Sequence, residues 1–145
     1  MNITFVMTER GQGIKFKTSK NKGLDYGELI KIPKGDKIVM VVSCDDKKMK
    51  EILYVTMKGW ASRFLLSDIK IKDAGGVGVK CAKITPKTGR ISDFVELSRN
   101  KKLLAITGHD EELGFKSDEV PLLRRGSTGI RLFKITRLDW IESLG

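Results

Sequence analysis

The sequence predicts an all-β, propeller-like fold of about three blades, each roughly 50 residues long. The first observation is an internal repeat, in which a short apolar strand ends in threonine and a phenylalanine follows eight residues later. The threonines are separated by 48 and then 51 positions, and such a period is typical of arrays of β-blades. The second observation is that helical periodicity is scarce. The repeated pairs are Thr8 and Phe16, Thr56 and Phe64, and Thr107 and Phe115.

A second repeated segment shows that the match extends through most of each unit. Gly78-Val79-Lys80 in the second unit corresponds to Gly129-Ile130-Arg131 in the third, and Lys83-Ile84 corresponds to Lys134-Ile135. A single blade cannot bury both faces of its sheet, so repeats of this kind stack on their neighbours. No proline- or serine-rich linker divides the chain. We therefore expect one continuous domain with blade-like repeats at residues 1–50, 51–100 and 101–145.

The apolar segments place the strands within each unit. Residues 38–42 form a short β-branched run, which is typical of a strand buried on both faces. Lys58-Gly59 predicts a tight turn, because glycine readily adopts a positive φ. Residues 67–69 and 118–120 are expected to form short corners between strands. The other predicted strands are 51–56, 61–66, 77–85, 91–97, 102–107, 113–116 and 130–136, with turns at 86–89 and 108–112.

The charge of the chain indicates a polyanionic partner. There are 28 lysines and arginines against 18 acidic residues, a formal net charge of +10. The three repeats contribute about +5, +4 and +1 to this total. Such an excess on a small domain favours nucleic-acid binding over a surface that is basic only for solubility. No apolar run is long enough for a membrane span and no secretory signal is present, which favours an intracellular protein without a membrane partner.

Catalytic and metal-binding motifs are not found. His109 is the only histidine and lies in a polar turn, so no Ser-His-Asp or Cys-His set is expected. Cys44 and Cys81 lie in separate apolar segments, which favours two reduced core thiols over a disulfide or a zinc site. The glycine-rich loops lack the Gly-Lys-Ser/Thr ending of a nucleotide-binding loop. We therefore expect no catalytic residue, no metal and no cofactor.

Two pairs of segments carry a resemblance to a known family. Residues 52–60 and 75–80 follow an order of strand, threonine, Lys-Gly turn, glycine loop and basic strand, and residues 103–107 and 125–132 repeat much of it. These segments resemble the C-terminal domain of the A subunit of bacterial type IIA topoisomerases, namely DNA gyrase and topoisomerase IV. The resemblance covers nearly the whole chain, although the first repeat matches loosely. It implies a β-pinwheel, whose neighbouring blades exchange strands and whose basic outer rim binds and bends duplex DNA.

The resemblance and the repeats together select candidate DNA-binding residues. A rim of this kind neutralises phosphates along a bent path without reading bases. Lys80 is equivalent to Arg131, and Lys83 is equivalent to Lys134, so a basic residue recurs at two positions of the repeat. The predicted DNA-binding set is Lys15, Lys17, Arg63, Lys80, Lys83, Arg124, Arg125, Arg131 and Lys134.

The glycine loops depart from the gyrase pattern. In gyrase, this domain carries a seven-residue box, rich in Gln, Arg, Gly and Lys, with which it wraps DNA. Residues 72–78 keep the glycines but lack the arginines, and residues 123–129 keep the arginines but lose one glycine and the lysine. The resemblance therefore favours a role in guiding DNA segments, as in topoisomerase IV, over tight wrapping.

The resemblance also implies what surrounds this domain. Three blades are fewer than the five or six of the family's full disc, so the chain is either a fragment of a larger subunit, which we prefer, or a short form that associates with itself. The expected partners are double-stranded DNA, the remainder of the topoisomerase A subunit and the ATPase subunit. The expected location is the cytoplasm, in association with the nucleoid. The chain is not expected to be an enzyme by itself, since neither Tyr26 nor Tyr54 matches the cleavage tyrosine.

Two other functional classes remain open at this level. The first is a propeller-like protein-interaction module whose basic charge meets an acidic partner. The second is a binder of single strands or RNA, which is ranked last because only 7% of the residues are aromatic.

Overall fold

The computed structural model describes residues 1–45 and 50–145, and it consists mainly of short antiparallel strands. Four single-turn 3-10 helices occupy corners of the chain at Thr18–Lys20, Tyr26–Glu28, Leu66–Asp68 and Ser117–Glu119. The last two confirm the predicted corners between strands. The strands are β1 (Asn2–Thr8), β2 (Gln12–Lys17), β3 (Ile38–Asp45), β4 (Glu51–Thr56), β5 (Trp60–Leu65), β6 (Val79–Lys80), β7 (Ile91–Leu97), β8 (Lys102–Thr107), β9 (Glu112–Lys116), β10 (Ile130–Arg131) and β11 (Ile141–Leu144).

The strands form three sheets, and two of these sheets contain a strand from the following repeat. Sheet 1 has the order β3-β1-β2-β6, sheet 2 has the order β10-β5-β4-β7, and sheet 3 has the order β11-β8-β9. Each sheet is built on one hairpin, and β6 and β10 pair with the hairpin of the preceding repeat, β6 with β2 and β10 with β5. The all-β, propeller-like prediction is therefore confirmed, including the exchange of strands between neighbours.

Two apolar cores separate the three sheets. Side chains alternate between the faces of a strand, so β4 supplies Ile52 and Tyr54 to the core against sheet 1 and Leu53 and Val55 to the core against sheet 3. The strands β3, β7 and β11 lie at one edge of their sheets, and β7 contacts both of the others. The exchanged strands β6 and β10 therefore lie at the opposite, outer edge.

Neighbouring repeats are joined at a glycine carbonyl. The backbone amides of Cys81 and Ala82 both donate to the carbonyl of Gly11, at 2.7 and 3.2 Å. The amides of Leu132 and Phe133 donate in the same way to the carbonyl of Gly59, at 2.9 and 3.1 Å. We call these two contacts the joints between repeats.

The joints require glycine for two reasons. The φ angles of Gly11 and Gly59 are +89° and +87°, a region that other residues rarely occupy. A Cβ atom on Gly11 would lie 2.4 Å from the carbonyl oxygen of Ala82, and one on Gly59 would lie 2.4 Å from that of Phe133. The absence of a side chain therefore allows each strand to approach its neighbour.

The third hairpin carries an acidic residue where the first two carry the joint glycine. The Asp110 amide donates to the Thr107 carbonyl at 3.0 Å, as the amide of Gly59 does to Thr56 at 3.1 Å. Asp110 also has a positive φ of +63°, and Glu111 and Glu112 follow it. In the described part of the chain, no exchanged strand pairs with the outer edge of β9.

Three predicted strands differ from the observed ones. Residues 38–42 are half-buried rather than buried on both faces, because β3 lies at the edge of sheet 1. The segments predicted as strands 77–85 and 130–136 pair only over Val79–Lys80 and Ile130–Arg131. The ladder ends there because the next two amides converge on a single carbonyl at the joint, which turns the chain away from the sheet.

Candidate nucleic-acid interface

The exchanged strands place one basic side chain on the outer edge of each of the first two sheets. Lys80 in β6 is opposite Gln12, and Arg131 in β10 is opposite Trp60. Both basic side chains are exposed. Their equivalence in the sequence is therefore matched by an equivalent position at the outer edge of the structure.

A loop from the third repeat lies against β6 and adds two arginines there. The Arg125 guanidinium donates from Nη1 to the carbonyl of Lys80 at 2.8 Å, and Arg124 beside it is exposed. The Gly126 amide donates to the Cys81 carbonyl at 2.8 Å. The structure therefore brings Lys80 together with Arg124 and Arg125, which lie more than 40 positions later in the sequence.

A second group of cations surrounds a groove beside sheet 1. The groove has a volume of about 780 Å³, and Lys72 donates from Nζ to the carbonyl of Val77 at 3.2 Å on one side of it. Lys17 was predicted as a contact, whereas the other lysines of the groove were not. The basic residues lining it are Lys17, Lys20, Lys22 and Lys72, with Asp73 as the acidic one.

A third group of cations surrounds a smaller pocket at the outer edge of sheet 2. The pocket has a volume of about 290 Å³ and is lined by residues from three separate segments. The Nζ atom of Lys87 lies 5.2 Å from the centre of the Trp60 ring, within the range of a cation–π contact. Its basic lining residues are Lys58, Lys87, Arg131 and Arg137.

Two of the predicted DNA-binding residues, Lys15 and Arg63, make structural contacts within the protein. Lys15 is only 7% exposed, and its Nζ donates to the carbonyl of Leu66 at 3.0 Å. Arg63 is the equivalent residue of sheet 2, and its Nε donates to the carbonyl of Val120 at 2.7 Å, while Nη1 pairs with Glu51 at 2.6 Å. Both residues hold a corner of the following segment onto the sheet. These contacts leave both residues less available to phosphate than the exposed members of the set, and their role as DNA contacts stays a prediction.

The other predicted residues are exposed, but they are distributed among different places on the surface. Lys17 lines the groove beside sheet 1, and Arg131 lines the pocket of sheet 2. Lys83 and Lys134 are exposed and follow the joints. Their position on the nucleic-acid interface stays a prediction.

Sequence reasoning missed several cations of the two concave sites. Lys20 and Lys22 lie in a loop of the first repeat, where the match to the other repeats is loose. Lys58, Lys87 and Arg137 come from turns that converge only in three dimensions.

One further cation, Lys31, carried a detectable signal in the sequence. The spacing of Lys31-Ile32 before the following strand resembles that of Lys83-Ile84. The Lys31 amide donates to the carbonyl of Gly76, as that of Lys83 does to the carbonyl of Ser127. The first repeat therefore contains a weak copy of the segment that follows the joints in the other two.

Tyr54 and His109, two side chains suited to other chemistry, are engaged by neighbouring groups. Burial raises the pKa of Tyr54 to about 12, and its hydroxyl donates to the carbonyl of Ser127 at 3.0 Å. The His109 ring pairs with Asp139 at 3.0 Å. Within residues 1–45 and 50–145, no group of three or more His, Cys, Asp or Glu side chains is placed to hold a metal ion. Over the same ranges, none of the helices is both long and apolar enough to cross a membrane.

The stacked sheets, the exchanged outer strands and the basic outer edge define a propeller-like domain of the pinwheel class. A family model described as "DNA gyrase C-terminal domain, beta-propeller" matches residues 3–20, 50–97 and 115–143, and the chain belongs to this family. The family is an accessory domain of type IIA topoisomerases, and the catalytic region lies elsewhere in the full-length protein.

Curated relatives and solved structures agree with this assignment. The chain is 26% identical over 106 residues to the DNA gyrase A protein of Staphylococcus epidermidis, covering 73% of this chain and 12% of the relative. It is 25% identical over 138 residues to that of Campylobacter fetus, covering 88% of this chain and 15% of the relative. The chain therefore spans a small part of the length of these relatives.

The fold is shared with two solved C-terminal domains. The match to that of DNA gyrase A has a TM-score of 0.84 at 20% identity, covering 99% of this chain and 50% of the other. The match to that of DNA topoisomerase IV has a TM-score of 0.86 at 19% identity, covering 100% and 46%. Both solved domains are about twice as long as this chain.

Proposed function

We propose that this domain binds duplex DNA through its phosphates, along the basic outer edge, and bends or guides the duplex for a type IIA topoisomerase. The observation that carries the proposal is the recurrence of an exposed basic residue on each exchanged strand, Lys80 on β6 and Arg131 on β10. Exchange of strands fixes these residues to rigid sheet edges rather than to loops. Successive sheets then present cations to successive stretches of one backbone.

Charge supports this function more strongly than shape does. Lys80, Arg124 and Arg125 are exposed, and no ion pair to a described carboxylate is formed by any of them. Unpaired cations of this kind release condensed counterions from DNA when they contact phosphates. They carry little base information, because phosphate contacts position a protein without reading sequence.

The glycine loops support guiding over tight wrapping. The loop at 72–78 carries Asp73, which is exposed beside the groove, and a carboxylate there repels phosphate. The loop at 123–129 uses Arg125 to contact the carbonyl of Lys80. The protein partners that this proposal includes are the remainder of the topoisomerase A subunit, with its ATPase subunit.

The proposal is tested by fluorescence anisotropy with a duplex of about 40 base pairs at several salt concentrations. Each neutralised phosphate contributes about 0.9 to the slope of log affinity against log salt, so engagement of about five cations gives a slope of about 4–5. We expect similar affinities for unrelated sequences. A slope below about one, or no binding at low salt, contradicts the proposal and favours an acidic protein partner.

A matched pair of variants locates the interface. Lys80→Glu combined with Arg131→Glu is expected to weaken binding at least tenfold, because it places two negative charges on the outer edge. Lys101→Glu combined with Lys102→Glu changes the net charge equally at exposed positions of the third repeat and is expected to have a smaller effect. Equal losses in the two variants argue for non-specific attraction. End-labelled duplex measured by resonance energy transfer reports whether the bound DNA is bent.

A further inference from the structure

The pocket at the outer edge of sheet 2 differs from the equivalent place on the other sheets. Trp60 is half-buried there and lies opposite Arg131 in the exchanged strand. The equivalent residues of the first and third hairpins are Gln12 and Glu111, since the backbone amide of each donates to the threonine hydroxyl of its hairpin, as that of Trp60 does. Among the hairpins within residues 1–45 and 50–145, the second therefore alone combines an aromatic ring with a basic exchanged strand.

The cations of this pocket come from three segments that fold onto one place. Lys58 belongs to the turn of the second hairpin, Lys87 to the loop before β7, and Arg131 and Arg137 to the strand and loop after the glycine loop of the third repeat. None of the four forms an ion pair with a carboxylate of the described residues. Four cations at one concave site repel one another, and an anion bound among them relieves that repulsion.

The one carboxylate that lines the pocket is directed to other partners. Asp139 pairs with the Nδ1 atom of His109 at 3.0 Å and accepts a hydrogen bond from the backbone amide of Trp140 at 2.8 Å. Partial desolvation alone would raise the pKa of Asp139, but these hydrogen bonds outweigh it and hold the pKa below its ordinary value. Asp139 therefore stays ionised at neutral pH, but it is one carboxylate among four cations, so the pocket keeps an excess of positive charge.

The size and composition of the pocket limit what it takes. A volume of about 290 Å³ is at or below the lower limit of pockets for whole organic ligands. The Nζ atom of Lys58 donates to the carbonyl of Pro86 and has two further N–H donors. Together with Lys87 it can supply donors for phosphate oxygens, whereas Arg131 and Arg137 match phosphate with a planar, two-donor fork. The Trp60 ring offers an apolar surface, which suits the carbon atoms of a sugar next to the phosphate.

From these observations we infer that the pocket is a phosphate-anchoring site for one strand of the bound duplex, with the adjoining deoxyribose against Trp60. The inference rests on the proposed function and makes it more specific. It places the strongest phosphate contacts where the second and third repeats meet, whereas the proposed function alone distributes the contacts evenly along the outer edge. The anchored phosphate belongs to a continuous DNA strand, since Lys87, Arg131 and Arg137 line the pocket and are exposed at the surface.

The test uses Trp60 as its own reporter. The chain contains two tryptophans, so Trp140→Phe leaves Trp60 as the only one. We expect the emission of Trp60 to change when a duplex of about 40 base pairs is added, with the same midpoint as the anisotropy titration. Lys87→Ala combined with Arg137→Ala is expected to remove this change and to lower the salt slope by about 1.8, which is about 0.9 for each lost phosphate contact.

Control variants and a free anion distinguish the outcomes. Lys20→Ala combined with Lys22→Ala removes two exposed lysines from the groove of sheet 1 and is expected to leave the Trp60 response intact. Saturating duplex binding with unchanged Trp60 emission refutes the anchoring site while the proposed function stands. No duplex binding at all refutes both. A Trp60 response to inorganic tripolyphosphate without one to duplex assigns the pocket to a free polyphosphate and also overturns the inference.

Discussion

Replacement of Gly59 by alanine tests whether the joints hold the repeats together. The new Cβ would lie 2.4 Å from the carbonyl oxygen of Phe133 and 3.0 Å from a side-chain carbon of Ile135. A non-glycine residue in the left-handed region costs about 1–2 kcal/mol, and forcing an extra methyl into a packed site costs about 1–3 kcal/mol more. We therefore expect Gly59→Ala to lower the free energy of unfolding by about 2–5 kcal/mol, a large part of the ~5–15 kcal/mol typical of a domain.

A control glycine separates the two contributions. Gly23 also has a positive φ, +67°, but nothing lies within 4 Å of the place that its Cβ would take. Gly23→Ala therefore carries the cost of backbone strain alone, partly offset by a less flexible unfolded chain. Urea unfolding followed by circular dichroism measures both variants. Equal destabilisation by the two variants would refute the reasoning, because the close approach at the joint would then contribute nothing.

Three further predictions concern single features of the structure. Lys15→Ala is expected to lower the free energy of unfolding by about 1–2 kcal/mol with little change in DNA affinity, because the buried ammonium donates to a carbonyl. Lys17→Ala, at the exposed position two residues later, is expected to lower DNA affinity with little change in stability. Urea unfolding and fluorescence anisotropy distinguish the two variants. Burial raises the pKa of Cys81 to about 12 from 9.0, so the thiol should react with Ellman's reagent at about pH 8 only when the protein unfolds, and its contribution to stability should decline as the pH rises above about 9. The measurement uses a Cys44→Ser variant, because Cys44 is a second, half-buried thiol; labelling of that folded variant at the rate of a free thiol would contradict this. Replacement of residues 110–112 by Gly-Gln-Gly, the equivalent residues of the first repeat, should let the outer edge of β9 bind a synthetic peptide that copies residues 124–137. Calorimetry measures this binding. Binding of equal strength to the unchanged chain would show that the acidic residues do not protect that edge.

The fold was predictable because the repeated residues have local structural roles that recur in every hairpin. The threonines that end β1, β4 and β8 each cap the following turn through the side-chain oxygen, so their spacing reports the spacing of the hairpins. The basic residues of the exchanged strands follow from the same alignment. Repetition thus supplied long-range information that a single blade does not carry.

The environment of individual cations was not predictable in the same way. Lys15 and Lys17 flank Phe16 and share one face of β2 by alternation. Lys15 is buried because the segment around Ile71 pairs with it, whereas Lys17 lies beyond that pairing and is exposed. The basic residues at positions 15 and 63 share this corner contact, since each donates to a backbone carbonyl of a corner segment. Similarly, the pocket of sheet 2 assembles turns whose meeting depends on the stacking of two sheets.

The exchange of strands also separates the order of synthesis from the order of assembly. Sheet 1 has three of its strands once Asp45 has been made, but its outer strand ends at Lys80, about 35 residues later. At translation rates of ~5–20 residues per second, the outer edge of β2 waits about 2–7 s for its partner. Sheet 2 waits in turn for Arg131. The first two sheets therefore become complete only when the next repeat has been made, so a growing chain exposes the unpaired outer edge of β2 and then that of β5 during its synthesis.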